Sequence, residues 1–310
     1  KVEVHPEVVK RLQQGNLSAF ELTPLQSLVG GALCILGLPL GVRQGNNPTC
    51  QSARGLSMWS RHAPAKLVNM LIDAAKTNNL VFRYEGQTVE SADVLEGLTQ
   101  AFDFKLDPVS ITLVPLLDKV YNEMMKRAAV KHLGKDPHAS VNPAFYGHWI
   151  QTGFRSVYNP TLHAIQYYDE FVRIFYASFH PDYNGGHPLI YPVPTGIFIT
   201  DASAQMLGYH AISLTRIAQW PEGGEWRAYF FNPNSQGKQD WGQGIHPTVW
   251  GNGERHGESS LPIDEFVSRV YAYHFNNLRL EDKQLKVPAS TVSKVTKLSK
   301  ESWGRKYRWI

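Results

Sequence analysis

The sequence predicts an α+β protein, and two contrasts along the chain carry that reading. Over roughly the first 180 residues apolar side chains recur at helical spacing, as in Leu67, Met70, Leu71 and Ala74. From 188 to 231 the chain turns to Ile, Val, Phe, Tyr and Thr broken by Gly, Pro and Asn, which is strand chemistry. The expected organisation is a mainly helical lobe over 1–185, with a helical insertion over about 91–180. A β-rich lobe over 186–310, ending in a helix, completes it.

Taken in order, residues 17–32 read as a helix, with Thr23-Pro24 a restart because Pro suits a first turn. The Gly and Pro residues of 37–48 make a loop. Helical spacing resumes at Cys50 with Ala53, Leu56, Ser57 and Trp59, breaks at Pro64, and resumes to Ala74. Residues 80–90 form a small hairpin around Glu85-Gly86-Gln87. Ser91 caps an expected helix over 92–102. A long helix follows from Pro108 to Leu133, kinked at Pro115 and closed by Gly134. Another spans 161–178. Strands over 207–219 and 226–231 flank the turn Pro221-Glu222-Gly223-Gly224. A loop covers 232–260, and Pro262 with Asp264-Glu265 opens a helix to about Asn276.

Bulk properties set limits. A chain of 310 residues can bury one large core or two modest ones, and 43% hydrophobic content is ordinary for a globular protein. A net charge of +4 does not call for a nucleic-acid partner. Positive charge gathers in Lys294, Lys297, Lys300, Arg305, Lys306 and Arg308. That tail reads as a solvated terminus, or as a dock for an anionic membrane surface helped by Trp303, Tyr307 and Trp309. Only Cys34 and Cys50 are present, so no disulfide framework is expected, and a reducing compartment suits the chain. Cys34, inside an apolar run, is expected to behave as a small core residue. The chain starts at Lys1 and opens on no signal peptide, so it reads as a piece of a longer protein acting in the cytoplasm. The apolar run from Leu28 to Val42 falls short of the ~20 residues that span a bilayer. There is no Gly-rich phosphate loop and no His-Glu-x-x-His, and His180 to His187 reads as a turn, so neither cofactor nor metal is expected.

Chemistry concentrates in four residues. Cys50 follows a Gly/Pro loop and opens a helical stretch, where the dipole and a nearby imidazolium stabilise a thiolate whose free pKa is ~8.5. Gln44, six positions earlier, can offer an amide to an oxyanion beside the Cys50 backbone N–H. His210 lies in the strand-like run Leu207 to Leu214, a rigid place for a general base. Asn232 closes the partner strand, from which a hairpin can bring its oxygen to the imidazole. Asn234 and Asp240 are rival orienters, and Trp241 reads by default as a core-packing indole.

These segments resemble the papain superfamily of cysteine peptidases in order and role. Within it, Cys50 to Trp59, Tyr209-His210-Ala211-Ile212 and Phe230-Phe231-Asn232-Pro233-Asn234 are similar to the YopT-type peptidases, largely bacterial effectors and toxin domains. The chain departs from that family in having Asn232 where Asp is usual, and from papain in lacking a Cys-Gly-Ser-Cys-Trp segment. The resemblance implies a papain-like two-lobed fold, the Cys on the helical lobe and the His and Asn on an antiparallel β lobe. It implies amide hydrolysis in a protein substrate such as a host protein, by Cys50, His210, Asn232 and Gln44, with secretion into a host cell as an effector and with Trp241 as the indole that shields the His–Asn bond. The same apparatus serves glutamine deamidases and transglutaminases. A non-catalytic membrane- or protein-binding module is the competing class.

Overall fold

A computed structural model describes residues 3–15, 21–95, 97, 101–187, 189–200, 206–234, 239–276 and 286–310. The protein is mixed α+β. It divides into two compact units, 1–131 with 140–147, and 132–139 with 148–310.

The first unit is helical. It holds α1 (Pro6–Gln14), α2 (Pro24–Gly37), α3 (Cys50–His62), α4 (Pro64–Thr77), the hairpin β1 (Val81–Tyr84) and β2 (Gln87–Glu90), α5 (Pro108–Lys131), and most of α6 (His138–Tyr146). Helices α1 to α4 all pack on α5, which runs unbroken through Pro115. Prolines open α1, α2 and α4, where a missing N–H costs nothing. Thr23 and Gln26 form a reciprocal capping box at the start of α2. Helix α3 is buried from Ser52 to Ser60, because its small residues Ser52, Ala53, Gly55 and Ser57 allow neighbours to approach closely.

The second unit is built on a six-stranded antiparallel sheet in the order β3-β10-β6-β7-β8-β9. Its strands are β3 (Gly153–Ser156), β6 (Val193–Thr200), β7 (Met206–Trp220), β8 (Glu225–Phe231), β9 (Glu258–Pro262) and β10 (Val270–Phe275). Helix α7 (Tyr168–Phe179) packs Phe171, Phe175 and Phe179 around Tyr273 of β10. Helix α8 (Ile263–Val267) adds Phe266 to Phe175 and Phe230. A small sheet pairs β5 (Ala164–Ile165) with β4 (Tyr158–Asn159) and with β11 (Arg308–Trp309), which follows α9 (Ala289–Glu301).

Several expectations are corrected. Residues 148–185 belong with the sheet rather than with the helical part, since β3 pairs with β10 and α7 covers Tyr273. The helix expected to Asn276 ends at Val267, and β10 follows with every side chain buried; the early acids marked a one-turn helix only. No helix occupies the described part of 92–102, of which 96 and 98–100 lie outside the described residues. Ser91 instead receives the Leu80 N–H and donates to Asn79. The helix placed over 161–178 begins only at Tyr168, and the one placed over 17–32 starts at Pro24, residues 17–20 lying outside the described set. The loop over 232–260 gives way to β9 at Glu258.

Cys34 is exposed, not a core residue. Helix α2 turns Leu28, Gly31 and Ile35 inward, and a Cβ on Gly31 would stand 3.1 Å from Pro108, so the opposite face, with Leu33 and Cys34, is left outward. The C-terminal aromatics are packing groups. Trp303 is fully buried, Trp309 stacks on it at 5.5 Å, and the Tyr307 hydroxyl meets that of Tyr209 at 3.0 Å. No helix among the described residues is long and apolar enough to cross a membrane.

Candidate active-site residues

Cys50 is the first residue of α3, and Thr49 supplies no side-chain cap, so the first-turn amides keep their positive dipole end. The preceding loop is held by Asn47. Its Nδ2 donates to the carbonyls of Gln44 (3.0 Å) and Asp103 (3.2 Å), and its Oδ1 accepts the Asp103 N–H (2.7 Å). The Asp103 carboxylate in turn accepts the N–H groups of Lys105 and Asn46, which hold its pKa below the ordinary value. Gly45 sits at φ +60 with an added Cβ only 3.0 Å from that carboxylate, so no other residue fits there without strain.

Gln44 is buried in this loop, and its Nε2 donates to the Asn47 carbonyl at 2.9 Å. One of its two amide hydrogens therefore closes the loop.

Sequence reasoning missed Arg54, one helical turn after Cys50. It is 2% exposed and donates through Nε (3.1 Å) and Nη2 (3.0 Å) to the Tyr146 hydroxyl, and through Nη2 to Gln51 Oε1 (2.5 Å). Burial works against its charge, but the pull of Tyr146, Tyr121 and Cys50 outweighs it and raises the guanidinium pKa. Burial also pushes the Tyr146 phenol up to about 12, so it stays a donor to Gln51. The available signal was a charged residue at i+4 from the Cys, inside a stretch of small and apolar residues.

In the second unit, His210 lies on β7 and is 5% exposed. The antiparallel register pairs Ser213 with Phe231, so Asn232, just past the end of β8, falls diagonally across from His210. His210 Nε2 and Asn232 Oδ1 are 2.7 Å apart. Asn232 Oδ1 also accepts the Asn234 backbone N–H at 3.0 Å, so Asn234 acts through its main chain. Asp240 instead accepts the Gly242 N–H. Of the three rival orienters, Asn232 is the one bonded to the imidazole. Trp241 packs on Phe230 and donates its indole N–H to Gln239 Oε1 at 3.1 Å. Gln239 was not foreseen; the same oxygen accepts Asn232 Nδ2 at 2.7 Å, and its Nε2 donates to Ser259 at 2.9 Å.

Chemically, the first unit offers a sulfur at a helix N-terminus with a buried cation nearby. The second offers a buried imidazole held through Nε2 by Asn232. Comparison with models of known protein families and with curated proteins finds no match to this chain.

Proposed function

We propose that the chain is a papain-like thiol hydrolase of two lobes, acting on an amide in a protein substrate through Cys50, His210, Asn232 and Gln44. The observation that carries the reading is the 2.7 Å bond from His210 Nε2 to Asn232 Oδ1, because it leaves Nδ1 for the sulfur's proton. The helix-start position of Cys50 and the charge of Arg54 support a thiolate.

In this mechanism the Cys50 thiolate adds to the amide carbonyl, and the oxyanion is held by the Cys50 N–H and the remaining Gln44 amide hydrogen. The C–N bond breaks as the imidazolium passes its Nδ1 proton to the leaving amine. Water then attacks the thioester, giving its proton to Nδ1, and the acid departs with the thiolate restored. If the amide is a Gln side chain, the same steps give deamidation, and an amine in place of water gives a cross-link.

Brief exposure to iodoacetamide at pH 7, followed by peptide mass spectrometry, tests the reading. Cys50 is expected to be labelled faster than the more exposed Cys34. Alkylation of Cys50 no faster than that of Cys34 would remove the basis for a catalytic thiol. For an active preparation, the mass change of a target separates a backbone cut from a gain of ~1 Da or a cross-link.

A further inference from the structure

We infer that Gln239 is a positioning residue that fixes the tautomer of His210 through Asn232, an inference that rests on the thiol-hydrolase reading for its catalytic meaning. Amide oxygen and nitrogen are alike in shape, so a His–Asn contact by itself does not say which ring nitrogen carries the proton. Here the ambiguity is removed from outside. The Trp241 indole N–H can only donate, so the Gln239 atom it meets at 3.1 Å is an acceptor, the oxygen Oε1. That oxygen also faces Asn232 at 2.7 Å, which makes the facing Asn232 atom the nitrogen Nδ2. The other end of Asn232 is therefore Oδ1, as the Asn234 backbone donor at 3.0 Å independently requires. An oxygen 2.7 Å from His210 Nε2 needs a proton on Nε2. The neutral ring is thus the Nε2–H tautomer, with a lone pair on Nδ1.

Gln239 is held in turn. Its Nε2 donates to Ser259 at 2.9 Å on β9, while the Trp241 backbone N–H bonds Ile245 and Arg269 Nη2 donates to the Gly242 carbonyl at 2.9 Å. The Asn232 amide is therefore gripped at both ends: the Asn234 N–H holds the oxygen and Gln239 holds the nitrogen. Without the second grip Asn232 can turn about its terminal torsion, a broad and shallow one. Proton transfer by a base in the wrong tautomer is costly, on the order of 10⁴-fold in the serine triads.

The test uses full-length protein labelled with ¹⁵N-histidine, with the His210 ring signals assigned by their loss in His210→Gln. In the parent, the neutral ring is expected to show a protonated Nε2 and an unprotonated Nδ1. Gln239→Leu, close in size but without an acceptor, should give mixed tautomers. It should also lower the rate of iodoacetamide reaction at Cys50, relative to Cys34, by roughly 10-fold or more. Gln239→Glu keeps the acceptor and should restore the single tautomer, which a loss of folding could not explain. An unchanged tautomer in Gln239→Leu, or a Glu variant no better than Leu, overturns the inference. If the tautomer responds as expected while Cys50 is no more reactive than Cys34 in every variant, the tautomer control stands and the hydrolase reading falls.

Discussion

Arg54 shows how much a single buried charge can matter. It lies on the same helix face as Cys50, one turn away, where Cβ atoms are ~5–6 Å apart. At an effective dielectric near 20 a unit charge at such a distance is worth a few kcal/mol at most. Relaxation reduces that, and Arg54→Met is expected to raise the pKa of the Cys50 thiol, because a neighbouring cation favours the thiolate. Alkylation of Cys50 at pH 7 should slow several-fold while that of Cys34 is unchanged; equal rates in parent and variant would assign Arg54 to packing alone. Arg54→Lys should not restore the rate fully, because one ammonium cannot hold Tyr146 and Gln51 with the fork of a guanidinium. The residues named from sequence were those whose type announces chemistry: Cys50, His210, Asn232 and Gln44. Arg54, Asn47 and Gln239 escaped because polar residues of their kinds usually meet water, and only the fold shows which ones meet each other.

At the level of elements, Gly55 tests the packing that holds α3. An added Cβ would lie 2.9 Å from the Trp59 ring, which is itself fully buried and bonded through its indole to the Tyr146 carbonyl at 2.7 Å. A helical Gly→Ala change normally gains up to ~1 kcal/mol. Overpacking costs ~1–3 kcal/mol, so Gly55→Ala should lower stability by about 1 kcal/mol in denaturant melts. A gain instead would mean that Trp59 yields freely. Elements with strong local signals are legible in the amino-acid sequence: the helix start at Thr23-Pro24, the break at Pro64, the hairpin at Gly86 and the long helix from Pro108. Elements decided by tertiary pairing are not. Val270–Phe275 has strand composition, but the acids and Phe266 before it open a real helix that stops after one turn, and only pairing with β3 and β6 makes the rest an interior strand.

For the whole molecule, two buried groups, one in each unit, are expected to respond to acid with opposite signs. His180 is buried among Tyr176, Tyr183 and Trp226, and its Nδ1 accepts the Asp182 N–H. Burial lowers its pKa, against the pull of Asp182 and Asp264. The unfolded chain therefore takes up this proton first, and the second unit loses stability as pH falls below the ordinary histidine value of ~6.5. In the first unit, burial raises Asp118 to about 6, against its bond from Asn122. Its ionisation costs the folded state, so this unit gains stability as pH falls from about 6 toward the unfolded carboxylate range near ~4. Hydrogen-exchange protection compared at pH 7 and pH 5.5 should fall in β10 and α7 and rise in α5. Asp118→Asn should abolish the rise and His180→Phe the fall; a shared direction in both units would refute the assignment. Such opposite responses could not be read from sequence, where Asp118 and His180 are two among many titratable residues.

The claim on which the functional reading rests is that His210 controls the ionisation of Cys50. It is tested most directly by following thiolate absorbance at 240 nm against pH in Cys34→Ala protein, which retains one thiol, with His210 present and replaced by Ala. An inflection well below the free-thiol value of ~8.5 is expected with His210 in place, and a return toward that value without it. An inflection near ~8.5 in both proteins, or the same low inflection in both, would contradict it.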